Sequence, residues 1–278
     1  MLKVIETQIF GWDAAIRGMR NPMNSWDKSD TKFNGVFFHR LADGAEIAVG
    51  AFVGDNDLAL MRKLVKAGSD HSKFMRMITV TCDVEAPFYW WKEYDTYKVG
   101  TVANSCSTMH KLHERDLTID DFSHEHLFDG IIQVENPDDP MEFYEDSTTC
   151  LEYVISVINY HRKKYIETKD KRYWQQMIQL LPTSFNQKRT LHLNYAVLRN
   201  IYHARKNHKL TEWHTLCDWI HSLPYSELIT ENYEEPSISI NRVRKIFKDI
   251  RDLLSRPFTW EDLDKIEKEY TEDSSHEE

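Results

Sequence analysis

Between Ala86 and His110 the chain reads APFYWWKEYDTYKVGTVANSCSTMH. A block of aromatics, Phe88, Tyr89, Trp90 and Trp91, is followed by Tyr94 and Tyr97. After Gly100 come hydroxyls and an amide: Thr101, Asn104, Ser105, Ser107 and Thr108. Aromatic walls beside such donors suit a flat, hydrogen-bonding ligand that carries phosphates, such as a nucleotide or flavin. The same residues also fit a buried aromatic helix and a polar loop whose hydroxyls bond their own backbone. Trp90, Trp91 and Tyr94 have near-helical spacing and are expected in the core or at a subunit contact. Cys106 has no histidine partner that the sequence can assign, so thiol catalysis is not expected there.

The elements around this stretch are readable by period. Ile78, Val80, Cys82 and Val84 alternate with Thr79, Thr81 and Asp83, the mark of a half-buried strand. Leu2 to Phe10 alternates more loosely and is an early strand. The next segment is helical to Met19 and breaks at Asn21-Pro22. Asp43-Gly44 between two apolar runs predicts a hairpin. Asp55 to Ala67 predicts an amphipathic helix closed by Gly68. Asn136 to Pro140 reads as a loop. Helices are expected over Cys150 to Tyr165 and over Arg172 to Leu181, the second stopped by Pro182. Thr183 to Arg189 reads as a polar turn. Leu191 to Ala204 starts extended and becomes helical, and Thr211 to Leu223 is a further helix. From Glu227 the character changes: an acidic linker leads to two charged helices, Ser239 to Leu254 and Thr259 to Tyr270, and to a disordered acidic tail. Two domains are expected, residues 1–226 and a charged helical extension over 227–278.

Composition narrows the function classes. The 41% hydrophobic content supports a sizeable core. A net charge of -10 argues against a nucleic-acid polymer as partner, since that needs a basic face. Cys82, Cys106, Cys150 and Cys217 form no C-x-x-C pair, which fits a reducing compartment. The start of the chain is too polar for a signal peptide, and no apolar run approaches the roughly 20 residues a membrane span requires. A cytoplasmic protein is expected. His113, His124 and His126 lack the spacing of a helical histidine pair, so no metal is expected.

Two stretches together resemble the flavin-dependent thymidylate synthases. The first is the strand with Ala86-Pro87 and then Asn104-x-x-Ser107, similar to the family's A-P, R-Q-W-x-R-H-R-x-x-S-x-N-E-x-S-x-R. The second is LLPTS at 180–184 followed by Asn194-x-x-x-Leu198-x-Asn200 and Arg205, similar to L-P-x-x-x-x-T and N-x-R-x-L-x-[HN]-F-x-x-x-R. Their order and spacing agree from about Leu60 to Leu223. The resemblance implies an α+β fold, a mixed sheet packed with helices, here with extra C-terminal helices. It also implies a homotetramer with sites built from more than one subunit. The implied reaction is reductive methylation of dUMP to dTMP with FAD, NADPH and methylenetetrahydrofolate. Arg205 inherits the catalytic contact with the uracil ring, stabilising charge at N3. Tyr97, Lys98, Thr101, Asn194 and Asn200 are the implied cofactor contacts. Lys92, Glu93, Asn104, Ser105, Ser107 and Arg205 are the implied substrate contacts.

The departures concentrate on arginines. Lys92, Glu93, Tyr94, Asp95, Thr96, Tyr97 and Lys98 stand at R-Q-W-x-R-H-R, and one residue is inserted before Asn104. Ser105 replaces a Glu, Met109 an arginine facing the substrate phosphate, and Ala196 the arginine of N-x-R. Lys92, Lys98, Lys111, Lys188 or Arg189 are the available compensations, although lysine lacks the guanidinium's planar fork. The alternatives are a relative with a different pyrimidine nucleotide, a non-catalytic nucleotide-binding protein, or a purely structural oligomer. As a helix-end arginine, Arg205 is expected to matter little to the fold itself.

Overall fold

The computed structural model describes residues 2–33, 37–129, 132–136 and 139–233, with backbone alone from 132 to 145. In chain order the strands and helices are β1 (Lys3–Phe10), α1 (Trp12–Arg20), β2 (Phe37–Arg40), β3 (Glu46–Val49), α2 (Asp55–Lys66), β4 (Thr79–Pro87), α3 (Phe88–Tyr94), β5 (Val102–Ser105) and α4 (Thr108–Lys111). Then come β6 (Ile132–Asn136), β7 (Asp139–Glu145), α5 (Ser147–Thr168), α6 (Lys171–Leu180), β8 (Asn186–Asn194), α7 (Tyr195–Arg205), α8 (Thr211–His221) and α9 (Glu227–Thr230). The helices expected beyond Ser239 lie outside the described residues. No described helix is long and apolar enough to cross a membrane.

Six strands form one mixed sheet in the order β2-β3-β1-β4-β8-β5. β1 and β3 are parallel, and the other neighbours are antiparallel. The fold is thus α+β with a mixed sheet. β4 is its spine: Val80, Cys82, Val84 and Ala86 are buried on one face, while Thr79, Thr81, Asp83 and Glu85 are half-exposed on the other. The expected hairpin around Asp43-Gly44 is present as β2 and β3.

Three expectations need correction. The polar turn placed at Thr183 to Arg189 is strand from Asn186 onward, paired with β4 from Asn186 opposite Pro87 to Asn194 opposite Thr79. Its polar residues belong to the sheet's open face, where Lys188 and Thr190 bond Asp83 and His192 meets Thr81. Cross-strand pairing explains their presence, and local polarity concealed it. Second, Asp139 and Pro140 lie in β7, which pairs with β6 across the expected loop. Third, the change of character expected at Glu227 comes later, since Glu227–Thr230 is helix α9. The first compact unit runs from Met1 to Glu231, and Leu228 and Ile229 of α9 are fully buried.

Two apolar clusters hold this unit. The larger contains Trp12, Trp90, Trp91, Tyr195 and Trp213, all fully buried. The smaller joins Leu117 and Phe122 to Ile155, Ile158 and Met177, covering the inner side of α5 and α6. One buried ion pair fastens α1 to α2. Arg20 donates from Nε to Asp57 at 2.6 Å, with the two side chains 5% and 0% exposed. The second Asp57 oxygen accepts from the hydroxyls of Ser29 and Thr31, and Arg20 also bonds the carbonyls of Ser25 and Lys28. Every charged atom of the pair thus finds a partner, the condition under which a buried pair is tolerated.

Burial pushes the Asp57 pKa up. Hydrogen bonds from Ser29, Thr31 and Arg20, with the charge of Arg20, outweigh that and leave it below its ordinary value. A carboxyl lowered in this way contributes its stability fully above about pH 4 and loses it as acid protonates the folded form. Arg20→Ala should cost about 3–5 kcal/mol by stranding the carboxylate. Asp57→Asn should lower urea stability at neutral pH and flatten the fall of stability into acid. Equal acid slopes in wild type and Asp57→Asn would remove Asp57 from that role.

Candidate active site

Arg205 ends α7, but it does not project freely into solvent. Its Nε donates to the Tyr97 hydroxyl at 2.9 Å and its Nη1 to Glu93 Oε2 at 2.8 Å. The guanidinium carbon lies 4.6 Å from the Trp213 ring centre and 5.6 Å from that of Tyr97. Glu93 Oε2 also accepts from Trp213 Nε1 at 3.0 Å, and His208 Nε2 stands 3.2 Å away. His208 Nδ1 accepts from the Leu210 amide at 3.1 Å, which leaves the ring proton on Nε2, facing Glu93. One carboxylate oxygen therefore accepts hydrogen bonds from α7 and α8 and has the His208 ring of the loop between them 3.2 Å away. Among the described residues, Nη2 of Arg205 has no hydrogen-bond partner. A guanidinium clamped on one side and open on the other is a preorganised donor for developing negative charge.

The resemblance assigns Glu93 to substrate and Tyr97 to cofactor, and the structure joins both to Arg205. Thr101 is near them through its hydroxyl, which donates to the Tyr97 carbonyl. Trp90, Trp91 and Tyr94 are buried in the core, as their spacing suggested. Cys82 is also buried, and its thiol is pushed up to about 12 by burial and by Asp83.

A cavity of about 320 Å³ opens between the turn before β4, Gly100 and the first turns of α7. Asn194 and Asn200 both line it, as do Ser72, Arg76 and Arg199. Asn194 caps α7, its Oδ1 accepting from the Val197 amide at 3.1 Å. Gly100 has φ +75°, and a Cβ there would fall 3.1 Å from Val197 Cγ2 and 3.3 Å from Asn194 Nδ2.

A second cavity, about 510 Å³, holds Ser107 together with Cys106, Lys111, Arg115, Gln187 and Lys188. Ser107 caps the short α4, accepting from the His110 amide at 3.3 Å. Lys111 pairs with Glu114 and Lys188 with Asp83. Asn104 and Ser105 sit on β5, an edge strand whose four residues are all exposed. Lys92 and Lys98 are exposed and line neither cavity. Arg189 is engaged elsewhere, its guanidinium carbon 4.1 Å from the Trp91 ring centre, its Nε bonded to Gln187 and its Nη1 to Asp95. Within one chain the candidate residues therefore do not share one pocket: Glu93, Tyr97 and Thr101 gather around Arg205, Asn194 and Asn200 line the first cavity, Ser107 the second, and Lys92, Lys98, Asn104 and Ser105 line neither.

Sequence reading missed Arg76, Arg199, His208 and Trp213. Arg199 lies between the matched Leu198 and Asn200, so the motif itself held a signal. Arg76 reaches the Gly100 cavity, and His208 and Trp213 reach Glu93, only through long-range packing.

Gly100→Ala should destabilise the protein by about 1–2 kcal/mol, because a left-handed backbone is costly for any residue with a Cβ. The added methyl also crowds Asn194 at the cavity rim. An unchanged thermal midpoint would show that the turn relaxes freely.

No protein-family model matches the sequence, and a search of curated proteins gives no match. Solved structures do match. The flavin-dependent thymidylate synthase ThyX from Helicobacter pylori, complexed with FAD and dUMP, aligns at 16% identity and TM-score 0.54, covering 83% of this chain and 98% of the other. A second ThyX structure from that organism, with FAD and dUMP, gives 15% and 0.55, covering 84% and 98%. The UMP/dUMP methylase PolB from Streptomyces cacaoi, bound with 5-Br UMP, gives 13% and 0.50 over 83% and 94%. At these identities the likeness is one of architecture: this chain has the fold of the flavin-dependent thymidylate synthases.

Proposed function

We propose that the chain is a flavin-dependent enzyme acting on a pyrimidine mononucleotide, its reaction the reductive methylation of dUMP to dTMP with FAD, NADPH and methylenetetrahydrofolate. The observation that carries this reading is the clamped Arg205. Its position agrees with the motif, and its open Nη2 can meet a pyrimidine oxygen without first reorganising.

The cavity at Gly100 fits part of a flavin nucleotide. Asn194 and Asn200 offer amides, Arg76 and Arg199 offer charge, and the missing Cβ of Gly100 keeps the entrance open. A bound flavin would supply the hydride-transfer chemistry. The cavity is smaller than a whole FAD, so the remaining wall must come from another surface. A homo-oligomer, a tetramer in this reading, supplies it. The exposed edge strand β5, carrying Asn104 and Ser105, is the natural place for a neighbouring subunit. The nucleotide's phosphate is assigned to the cavity of Ser107, Lys111 and Lys188, where lysines stand in for absent arginines. Both lysines are paired with carboxylates, and Met109 and Ala196 stand at two family arginines. Those substitutions favour a second reading, a same-fold relative with a different pyrimidine nucleotide or with binding alone.

The structure changes what substitution at Arg205 should do. Removing it strips Glu93 of a charged partner and Trp213 of a stacked one, so Arg205→Ala should cost about 1–3 kcal/mol in stability. Arg205→Lys is the cleaner test, because the charge opposite Glu93 remains while the second prong is lost. With FAD bound, dUMP-dependent reoxidation of the reduced flavin should fall about a hundredfold in Arg205→Lys, the usual scale for a preorganised donor. Wild-type kinetics in that variant would sink the catalytic assignment. A protein that cannot be reconstituted with FAD would sink the flavin reading altogether.

A further inference from the structure

The chain carries a net charge of -10. The larger cavity includes Glu85, Glu114 and Asp121 among its walls. The cavity at Gly100 differs. Its described wall contains two arginines, Arg76 and Arg199, and no carboxylate. In an acidic protein this is the local environment an anion would select.

The two arginines are held differently. Arg76 ends the turn Lys73–Arg76 and has no ion-pair or hydrogen-bond partner among the described residues. Arg199 is oriented from behind by Glu231. Its Nε donates to Glu231 Oε1 at 2.6 Å, and its Nη2 reaches the same oxygen. His203 Nε2 stands 3.2 Å from that oxygen as well. Nη1 of Arg199 is left without a protein partner among the described residues. The first turn of α7 joins them through Ala196 and Val197, so the positive end of an 11-residue helix meets the same space. Ser72, buried on the opposite wall, adds a hydroxyl.

We propose that this cavity is a phosphate-binding site whose two cations are Arg76 and Arg199, with Glu231 as the positioning residue for Arg199. It takes a phosphate ester or pyrophosphate, with Arg76 as the uncompensated charge and Arg199 as the aimed fork. The proposal deepens the flavin reading by naming the part of the ligand that this cavity takes, and rests on it only for the ligand that delivers the phosphate. A nucleoside monophosphate would bring the same chemistry. These positions offer a second route to the charge lost where Ala196 replaces an arginine.

The test is isothermal titration calorimetry on the full chain with inorganic pyrophosphate, FAD, riboflavin and dUMP. Wild type, Arg76→Ala, Arg199→Ala and Arg199→Lys are compared at low and high salt. Pyrophosphate should bind wild type, more weakly at high salt, and lose about tenfold or more in affinity in each alanine variant. Arg199→Lys should recover part of the loss, which separates charge from any structural effect of freeing Glu231. Riboflavin, which lacks the phosphates, should be insensitive to all three. FAD weakening in parallel identifies the dinucleotide as the source of the phosphate, and dUMP weakening instead identifies the mononucleotide. Absence of pyrophosphate binding at millimolar concentration, or equal affinity in wild type and both alanine variants, would overturn the proposal. FAD and dUMP affinities both unchanged in both alanine variants would overturn it while leaving the flavin reading standing. Arginine-dependent pyrophosphate binding without any FAD binding would do the reverse.

Discussion

A single carboxylate oxygen, Glu93 Oε2, organises the candidate site. It receives Arg205 from the end of α7 and Trp213 from α8, with His208 of the intervening loop 3.2 Å away. The interaction is costly to assemble, since it partly desolvates two opposite charges, and it is tolerated because the donors surround the acceptor. Its consequence is rigidity. Trp213 packs at a tilt against Trp90 at 4.8 Å, Trp90 stacks on Tyr94 at 5.2 Å, and the guanidinium caps the same aromatic column. The aromatic block that dominates the sequence is thus the floor on which Arg205 is mounted. It is core, and it fixes the direction of a charge.

This arrangement explains why the sequence disclosed the fold better than the site. β4 declares itself through strict alternation, and α2 and α7 through apolar faces, because those signals are local. β8 was only half legible: Leu191 and Leu193 show its buried face, while Lys188 and Thr190 look like a turn until Asp83 is found opposite them. The β6–β7 hairpin was hidden behind a proline-rich segment. At the site, Glu93 lies 112 residues from Arg205 and 120 from Trp213. No pattern within a window of sequence reports such a contact. The motif singled out Arg205 and could not say what holds it.

The missing arginines have a similar explanation in charge. Two positions that the resemblance fills with arginine carry Met109 and Ala196, which suggests a ligand site emptied of cations. The cavity at Gly100 instead gathers Arg76, from the turn before β4, and Arg199, three residues beyond Ala196 on α7. Positive charge can move along a scaffold when two surfaces face one cavity, since an anion responds to the summed field more than to any one side chain. Arg189 shows the opposite case. It suits the role of a spare cation by type and position, yet Trp91, Asp95 and Gln187 already hold it. Lys188 and Lys111 lie between these extremes, lining a cavity while bonded to carboxylates that a ligand must compete with.

The most direct measurement is the mass of the nucleotide after reaction. Purified protein reconstituted with FAD is incubated with dUMP, NADPH and methylenetetrahydrofolate, and the nucleotide is analysed by mass spectrometry. Conversion of dUMP to dTMP, gaining one methyl group with the carbon traced to the folate, is the expected result. Unaltered dUMP from a protein that holds FAD and dUMP together would contradict methylation and leave a nucleotide-binding protein on a synthase fold.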